Sequence, residues 1–228
     1  MPFDQALEID QQALLLMRIL CTAGSSRTRG SAIFIDRDGV INCRRAGDYV
    51  LDWSQFIFMP EIRGALRELS CLQLPMIVIS NQSAVGRGLL TPAALQDITA
   101  RMHKILVDDG VSLTAGYFCT HTPDEGCSCR KPKPGLLYAA AADFNIDLSR
   151  SIFIGDSNTD IQAARAAGCQ PVLFGPGLNP SSDEMDWVAG IPVALTGREL
   201  FGVVVDWLRL ADEGKPCHHA VRGAVWNP

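Results

Sequence analysis

The stretch Ala32-Ile33-Phe34-Ile35-Asp36-Arg37-Asp38-Gly39-Val40 decides how the rest of the chain reads. Four apolar residues in a row, with no alternation, suit a strand buried on both faces, as in a parallel sheet. The run stops at two carboxylates, spaced two apart, and a glycine that can turn the chain. Working outward, the same grammar recurs. Glu61 to Leu72 has helical periodicity and is followed by a second buried run, Met76-Ile77-Val78-Ile79. Thr91-Pro92 offers a capping hydroxyl with proline at the first helical position, and that helix is predicted to run to about Asp109, before Gly110. Leu113 to Cys119 reads as a third strand, Gly135 to Phe144 as a helix, and Ile152-Phe153-Ile154 as a fourth strand. Thr159 to Ala167 reads as a helix closed by Gly168, Pro171 to Phe174 as a fifth strand, and Glu199 to Leu210 as a last helix. Strands alternating with helices at this spacing predict an α/β fold with a doubly wound, mostly parallel sheet.

The ends of the chain break this pattern. Ile9, Ala13, Leu16, Met17 and Leu20 share one helical face, so about Asp4 to Leu20 is predicted as a helix, joined by the connector Cys21 to Gly30. Residues 1–30 are therefore expected to be a helical extension, 31–211 the main domain, and 212–228 a loosely held tail. Gly175 to Asp186 reads as a loop rich in proline, serine and aspartate.

Composition narrows the classes of function. The 228 residues are 47% apolar and 20% charged, enough for a sizeable core. A net charge of -5 argues against a general nucleic-acid binder, which needs a basic surface for phosphates. No apolar run is long enough for a membrane span; the best candidate, Ala13 to Leu20, is interrupted by Arg18. With no basic start and no small residues at a cleavage site, the chain reads as a cytoplasmic protein. A monomer acting on a small molecule is expected.

In doubly wound sheets ligands bind at the carboxyl ends of strands. Strand one ends in Asp36 and Asp38, strand two in Ser80-Asn81-Gln82-Ser83, and strand four in Gly155-Asp156-Ser157-Asn158-Thr159-Asp160. Lys131 lies just after strand three. Singly, these are turn and cap residues. Together they supply carboxylates for a divalent cation, a hydroxyl and an ammonium for phosphate oxygens, and a free carboxylate as nucleophile. All-oxygen donors favour Mg2+.

The eight cysteines are unevenly placed. Cys119, His121, Cys127 and Cys129 crowd into eleven residues, giving three thiolates and one imidazole. That is a full tetrahedral set for a structural Zn2+, with no position left for a substrate water. The loop between them is rich in turn formers, so metal binding would replace the packing it lacks. His103 reads as a surface residue, and Cys217-His218-His219 lacks a fourth ligand.

The strand-end motifs resemble those of the haloacid dehalogenase superfamily of phosphatases over about Ser31 to Gly177. The match implies that Asp36 attacks phosphorus to form an aspartyl phosphate. Asp38 would protonate the leaving oxygen and then activate the hydrolytic water, and Ser80 and Lys131 would steady the phosphoryl oxygens. Magnesium would be held by Asp36, the Asp38 carbonyl and Asp156, with Asp160 behind them or at the helix start. The cysteine loop, Gly47-Asp48-Tyr49-Val50, Gly86-Arg87-Gly88 and Arg130-Lys131-Pro132-Lys133-Pro134-Gly135 resemble the zinc-loop branch, which includes heptose bisphosphate and histidinol-phosphate phosphatases. The connections after strands one and two are too short for a large cap domain, so none is expected. The resemblance implies a sugar phosphate substrate bound by Asn81, Gln82, Ser83, Arg130 and Ser157. Arg44 and Arg45 are candidates to clamp a second phosphate, which favours heptose bisphosphate; histidinol phosphate is the alternative substrate. A silent phosphate-binding or zinc-scaffold module is the alternative from another class, and such a module would have little need of both Asp36 and Asp38.

Overall fold

The short apolar runs form one sheet in the computed structural model, which describes residues 14–17, 30–44, 49–175 and 190–212. In chain order the strands are β1 Leu14–Met17, β2 Ile33–Ile35, β3 Met76–Asn81, β4 Ala115–Cys119, β5 Ile152–Gly155, β6 Gln170–Phe174 and β7 Val193–Ala194. Their order across the sheet is β1-β4-β3-β2-β5-β6-β7. Strands β2 to β7 are parallel, and β1 lies antiparallel on β4, with Leu14 opposite Cys119.

The helices are α1 Ile62–Ser70, α2 Ser83–Gly86, α3 Pro92–Asp108, α4 Gly135–Phe144, α5 Asn158–Ala167 and α6 Gly197–Asp212. Successive residues of a strand face opposite sides of a sheet. Ile33, Ile35, Val78 and Ile154 therefore pack under α1, α3 and α6, against residues such as Leu66, Met102 and Val204. Phe34, Ile77, Ile79 and Phe153 pack on the other side, against Leu136 and Leu137 of α4 and Ala163 and Ala164 of α5. Both faces are covered, which is why the strands read as unbroken apolar runs. The capping chemistry also appears as predicted: Thr91 accepts a hydrogen bond from the Ala94 N–H at 3.1 Å, and Gly168 closes α5 at φ +81°.

The chain leaves β2 outward through β3 and β4, then crosses to β5 on the other side of β2. The order reverses there, so the carboxyl ends of β2 and β5 border the crevice where such sheets hold ligands. Among the described residues no large cap domain is built over it. The connection from β2 to α1 carries, among those residues, only a 3-10 turn, Trp53–Gln55.

One expectation is overturned. Leu14–Met17, inside the predicted helix, is a strand. Leu14-Leu15-Leu16-Met17 is an uninterrupted apolar run that suits either element, and β4 offers an otherwise unpaired edge for a ladder. The rest of residues 1–29, the loop at 176–189 and the tail after residue 212 lie outside the described residues. Strand β7 and the short helix α2 are additions that the sequence reading does not contain.

Candidate active site

Asp36 leaves the end of β2, with its N–H donating to the Ile154 carbonyl of β5 at 2.9 Å. That bond carries the sheet ladder one residue further and fixes the carboxylate at the switch point. Gly39 follows at φ +99°, and a side chain there would drive into the Asp156 carboxylate, its Cβ only 1.9 Å from Oδ2. The glycine is thus required both by the turn and by the close approach of the β5 loop.

Lys131 is the hub of the site. Its buried ammonium lies 2.8 Å from Asp36 Oδ1 and 2.6 Å from Asp160 Oδ1, and donates to the Ile79 carbonyl at 3.0 Å. Burial works against the lysine's charge, but Asp160 and Asp36 outweigh it and raise its pKa. The same charge holds Asp160 below the ordinary carboxylate range despite its burial. Asp36, by contrast, is raised to about 6, because burial outweighs the attraction of Lys131. Asp156 is raised to about 7 by burial and then by the charge of Asp36, against the pull of Arg44, whose Nη2 lies 2.9 Å from its Oδ1.

Asp36, Asp156 and Asp160 each bring a carboxylate oxygen to within 4.8 Å of the others. Three acidic side chains crowded this closely, two of them with raised pKa values, fit a hard divalent cation. Asp160 does more than start its helix. It accepts from the Ser157 N–H and hydroxyl in a capping box, and it is the second counter-ion of Lys131.

Asp38 points into a different set of partners. Arg37, Asn42 and Gln82 all donate to its carboxylate. Burial would raise its pKa, but the Arg37 charge and these hydrogen bonds lower it on balance. The other predicted residues are placed as follows. Ser80 is buried at the end of β3 and accepts from Gln82 Nε2 at 3.0 Å. Asn81 is spent on the Lys131 backbone, donating to its carbonyl and accepting from its N–H, both at 3.1 Å. Ser83 is buried within 3.3 Å of the Tyr49 hydroxyl. Arg130 has a buried Nη1 with no hydrogen-bond partner. Arg44 is exposed, and Arg45 and the Gly47-Asp48 part of its motif lie outside the described residues.

Cys119, His121, Cys127 and Cys129 come together beside this site. Their sulfurs are 3.4–3.7 Å apart, and His121 Nδ1 lies 3.3 Å from Cys129 and 3.6 Å from Cys119. A disulfide would need about 2.05 Å. Four donors at zinc-ligand distance from one centre stand about 3.5–3.8 Å apart, so the cluster fits a tetrahedral metal. Cys119 is lowered to about 5, chiefly by its hydrogen bond to Cys129 and against the effect of burial, with His121 adding to the shift. The scattered cysteines Cys43, Cys71 and Cys169 are free thiols.

Sequence reasoning missed Arg37 and Asn42. Both lie inside the first motif, and a signal for Arg37 existed: an arginine between two aspartates next to a buried strand is placed to be their counter-ion.

The comparisons with known proteins agree with this geometry. Residues 128–193 match the HAD-hydrolase-like family. The D-glycero-beta-D-manno-heptose-1,7-bisphosphate 7-phosphatase of Pseudomonas aeruginosa is 40% identical over 147 residues, covering 64% of this chain and 82% of that protein. The Yersinia pestis enzyme of the same name is 36% identical over 182 residues, covering 73% and 96%. The chain belongs to this family of HAD-like phosphatases. Among solved structures, the D,D-heptose 1,7-bisphosphate phosphatase from B. bronchiseptica, complexed with magnesium and phosphate, aligns with a TM-score of 0.67 at 32% identity. It covers 78% of this chain and 98% of its own. Like its relatives, this HAD-like phosphatase is a hydrolase of phosphomonoesters. Among its described residues no helix is long and apolar enough to cross a membrane.

Proposed function

We propose that this phosphatase removes the 7-phosphate of D-glycero-D-manno-heptose 1,7-bisphosphate through an aspartyl phosphate on Asp36. The observation that carries the reading is the buried triad in which Lys131 is paired with both Asp36 and Asp160 beside the Asp156 carboxylate. An anionic carboxylate held at a fixed point next to a cation is what in-line attack on a phosphomonoester requires. Asp36 attacks phosphorus, and the bond from phosphorus to the sugar oxygen breaks as Asp38 donates a proton to that oxygen; the phosphate charge beside Asp38 opposes the pull of Arg37 and lets the carboxyl carry that proton. Asp38 then takes a proton from water, whose oxygen attacks phosphorus, and the bond to Asp36 breaks to release phosphate and restore the carboxylate. Ser80 and Lys131 steady the phosphoryl oxygens. Asp36, Asp156 and the Asp38 carbonyl would hold magnesium, which would supply positive charge to offset that of the phosphate. Zinc on Cys119, His121, Cys127 and Cys129 is structural.

Arg130 binds the second phosphate; the exposed Arg44, and Arg45, which lies outside the described residues, are further candidates for it. The unpartnered Nη1 of Arg130 supports this, because a buried donor without an acceptor favours an anionic ligand. The test is steady-state kinetics of the parent and Arg130→Ala on heptose bisphosphate, histidinol phosphate and a simple sugar monophosphate. The parent should prefer the bisphosphate. Arg130→Ala should cost it about 1.5–3 kcal/mol in apparent transition-state binding and leave the monophosphate nearly unchanged. Faster turnover of histidinol phosphate by the parent overturns the substrate assignment.

A further inference from the structure

The side chain of Asp38 does not stand free at the rim of the site. Arg37 Nη2 lies 3.0 Å from Oδ1 and 2.9 Å from Oδ2, and Arg37 Nε lies 3.2 Å from Oδ1. Asn42 Nδ2 donates to Oδ1 at 3.0 Å, and Gln82 Nε2 donates to Oδ2 at 2.6 Å. Both carboxylate oxygens are therefore held from more than one direction. Gln82 and Arg37 are buried, and both amide hydrogens of Gln82 are already used, on Asp38 and on Ser80, which leaves it no donor for substrate.

Gln82 is the member that joins the others. Its Oε1 accepts from Arg37 Nη2 at 2.9 Å, and its Nε2 also donates to Ser80 Oγ at 3.0 Å. Only one orientation of the amide works here, since turning it over would set its carbonyl against the Asp38 carboxylate and its NH2 against the guanidinium. Arg37 contributes aim of its own, turning Nε and Nη2 to Asp38. Asp38 itself sits in a tight turn before Gly39, off the end of a three-residue strand. Nothing in the strand ladder fixes its side chain, so the fixing must come from neighbours.

We infer that Gln82 is a positioning residue for the acid–base carboxylate: it touches Asp38, not substrate, and locks it in register with Ser80 on the neighbouring strand. The inference rests on the reading of Asp38 as general acid and base. It assigns Gln82 to the proton transfer rather than to sugar recognition. A displacement of about 1 Å in a catalytic group can cost on the order of 100-fold.

The test uses the leaving group. An alkoxide departs poorly without a proton, whereas p-nitrophenolate needs little help. The quantity to compare is kcat/KM, which covers the steps up to departure of the alcohol. Gln82→Leu should lose roughly 10–100-fold on heptose bisphosphate but no more than about threefold on p-nitrophenyl phosphate. Gln82→Glu keeps the size and the acceptor for Arg37 but faces Asp38 with a second carboxylate, and should show at least as large a contrast. Asp38→Asn is the reference and should show the same contrast more steeply. Equal losses on the two substrates, or no loss on either, overturn the inference. If Asp38→Asn shows the contrast and neither Gln82 variant does, only the role of Gln82 falls. If Asp38→Asn itself hurts both substrates equally, the acid–base reading falls with it.

Discussion

Two regions meet at Lys131, and they are built on opposite principles. The carboxylate site stands on strands buried on both faces, and its lysine is paired with two carboxylates. The cysteine loop between β4 and α4 has no strand or α-helix. It holds one 3-10 turn, Pro123–Glu125, stiffened by the Thr122–Glu125 capping box and by Lys133, which donates to the carbonyls of Gly126 and Cys127. Backbone bonds anchor its two ends, from the Gly86 N–H to the Thr120 carbonyl at 3.0 Å and from the Gly135 N–H to the Ser128 carbonyl at 3.2 Å, and between them the four ligand atoms are its centre. The first region has a scaffold that tolerates loss of its chemistry. The second has ligand chemistry that substitutes for a scaffold. Equivalent damage should therefore read out differently in the two places.

The largest effect should come from Asp36→Asn. An amide cannot attack phosphorus, so turnover should fall on the order of 10,000-fold or more. The fold should hold, because Lys131 keeps Asp160 and the Ile79 carbonyl as partners and is not left as an unpaired buried charge. Phosphate release and a thermal melt on the same preparation check both halves. An Asp36→Asn variant that melts as early as a loop variant would erase the contrast between the regions.

Cys127→Ser should show the reverse order of effects. The parent should carry about one zinc per chain, and the variant should lose most of it along with about 3 kcal/mol or more of stability. Activity should fall as a consequence, since Cys129 runs directly into Arg130 and Lys131. Metal analysis by plasma emission, with thermal melts, decides the point. Parent protein that lacks zinc and contains disulfides among these cysteines would overturn the structural role.

The contrast also explains what was legible beforehand. Parallel strands covered on both faces leave unbroken apolar runs, so β2 to β6 could be found from the order of apolar residues alone. The carboxylates at their ends could be found from the topology rule that places sites there. Leu14–Met17 was misread because a run of four apolar residues carries no period of its own, and the edge of β4 that recruits it is remote in sequence. The inner partners were hidden for a similar reason. Gln82 lies 44 residues from Asp38, and Asn81 is bound to Lys131 across 50 residues. Single-residue reading assigns such polar side chains outward, to substrate, when the fold turns them inward on each other.

The smallest effect concerns pH, and it separates the two metal sites again. Asp156 is raised to about 7, by burial first and the Asp36 charge second, and Asp36 is raised to about 6, mainly by burial. A carboxyl with a raised pKa keeps its proton as the pH falls through that value, and a cation must then displace the proton to bind. Magnesium affinity should accordingly be flat above about pH 7.5 and weaken below pH 7 by up to about tenfold per pH unit. It should weaken more steeply below about pH 6, where a second proton competes. At the cysteine cluster the Cys119 thiol lies near 5, lowered by its hydrogen bonds to Cys129 and His121. It stays ionised through the same range. Cys129 is pushed up by its hydrogen bond to Cys119 and by burial. Zinc on thiolates nonetheless competes with protons far better than magnesium on carboxylates, so zinc should remain bound while magnesium is lost. Calorimetric magnesium titrations between about pH 5.5 and pH 8, with zinc content measured on each sample, test this directly. A magnesium affinity that does not change across that range would mean that Asp156 and Asp36 are not the groups holding the cation. Loss of both metals in parallel would mean that the two regions are not independent.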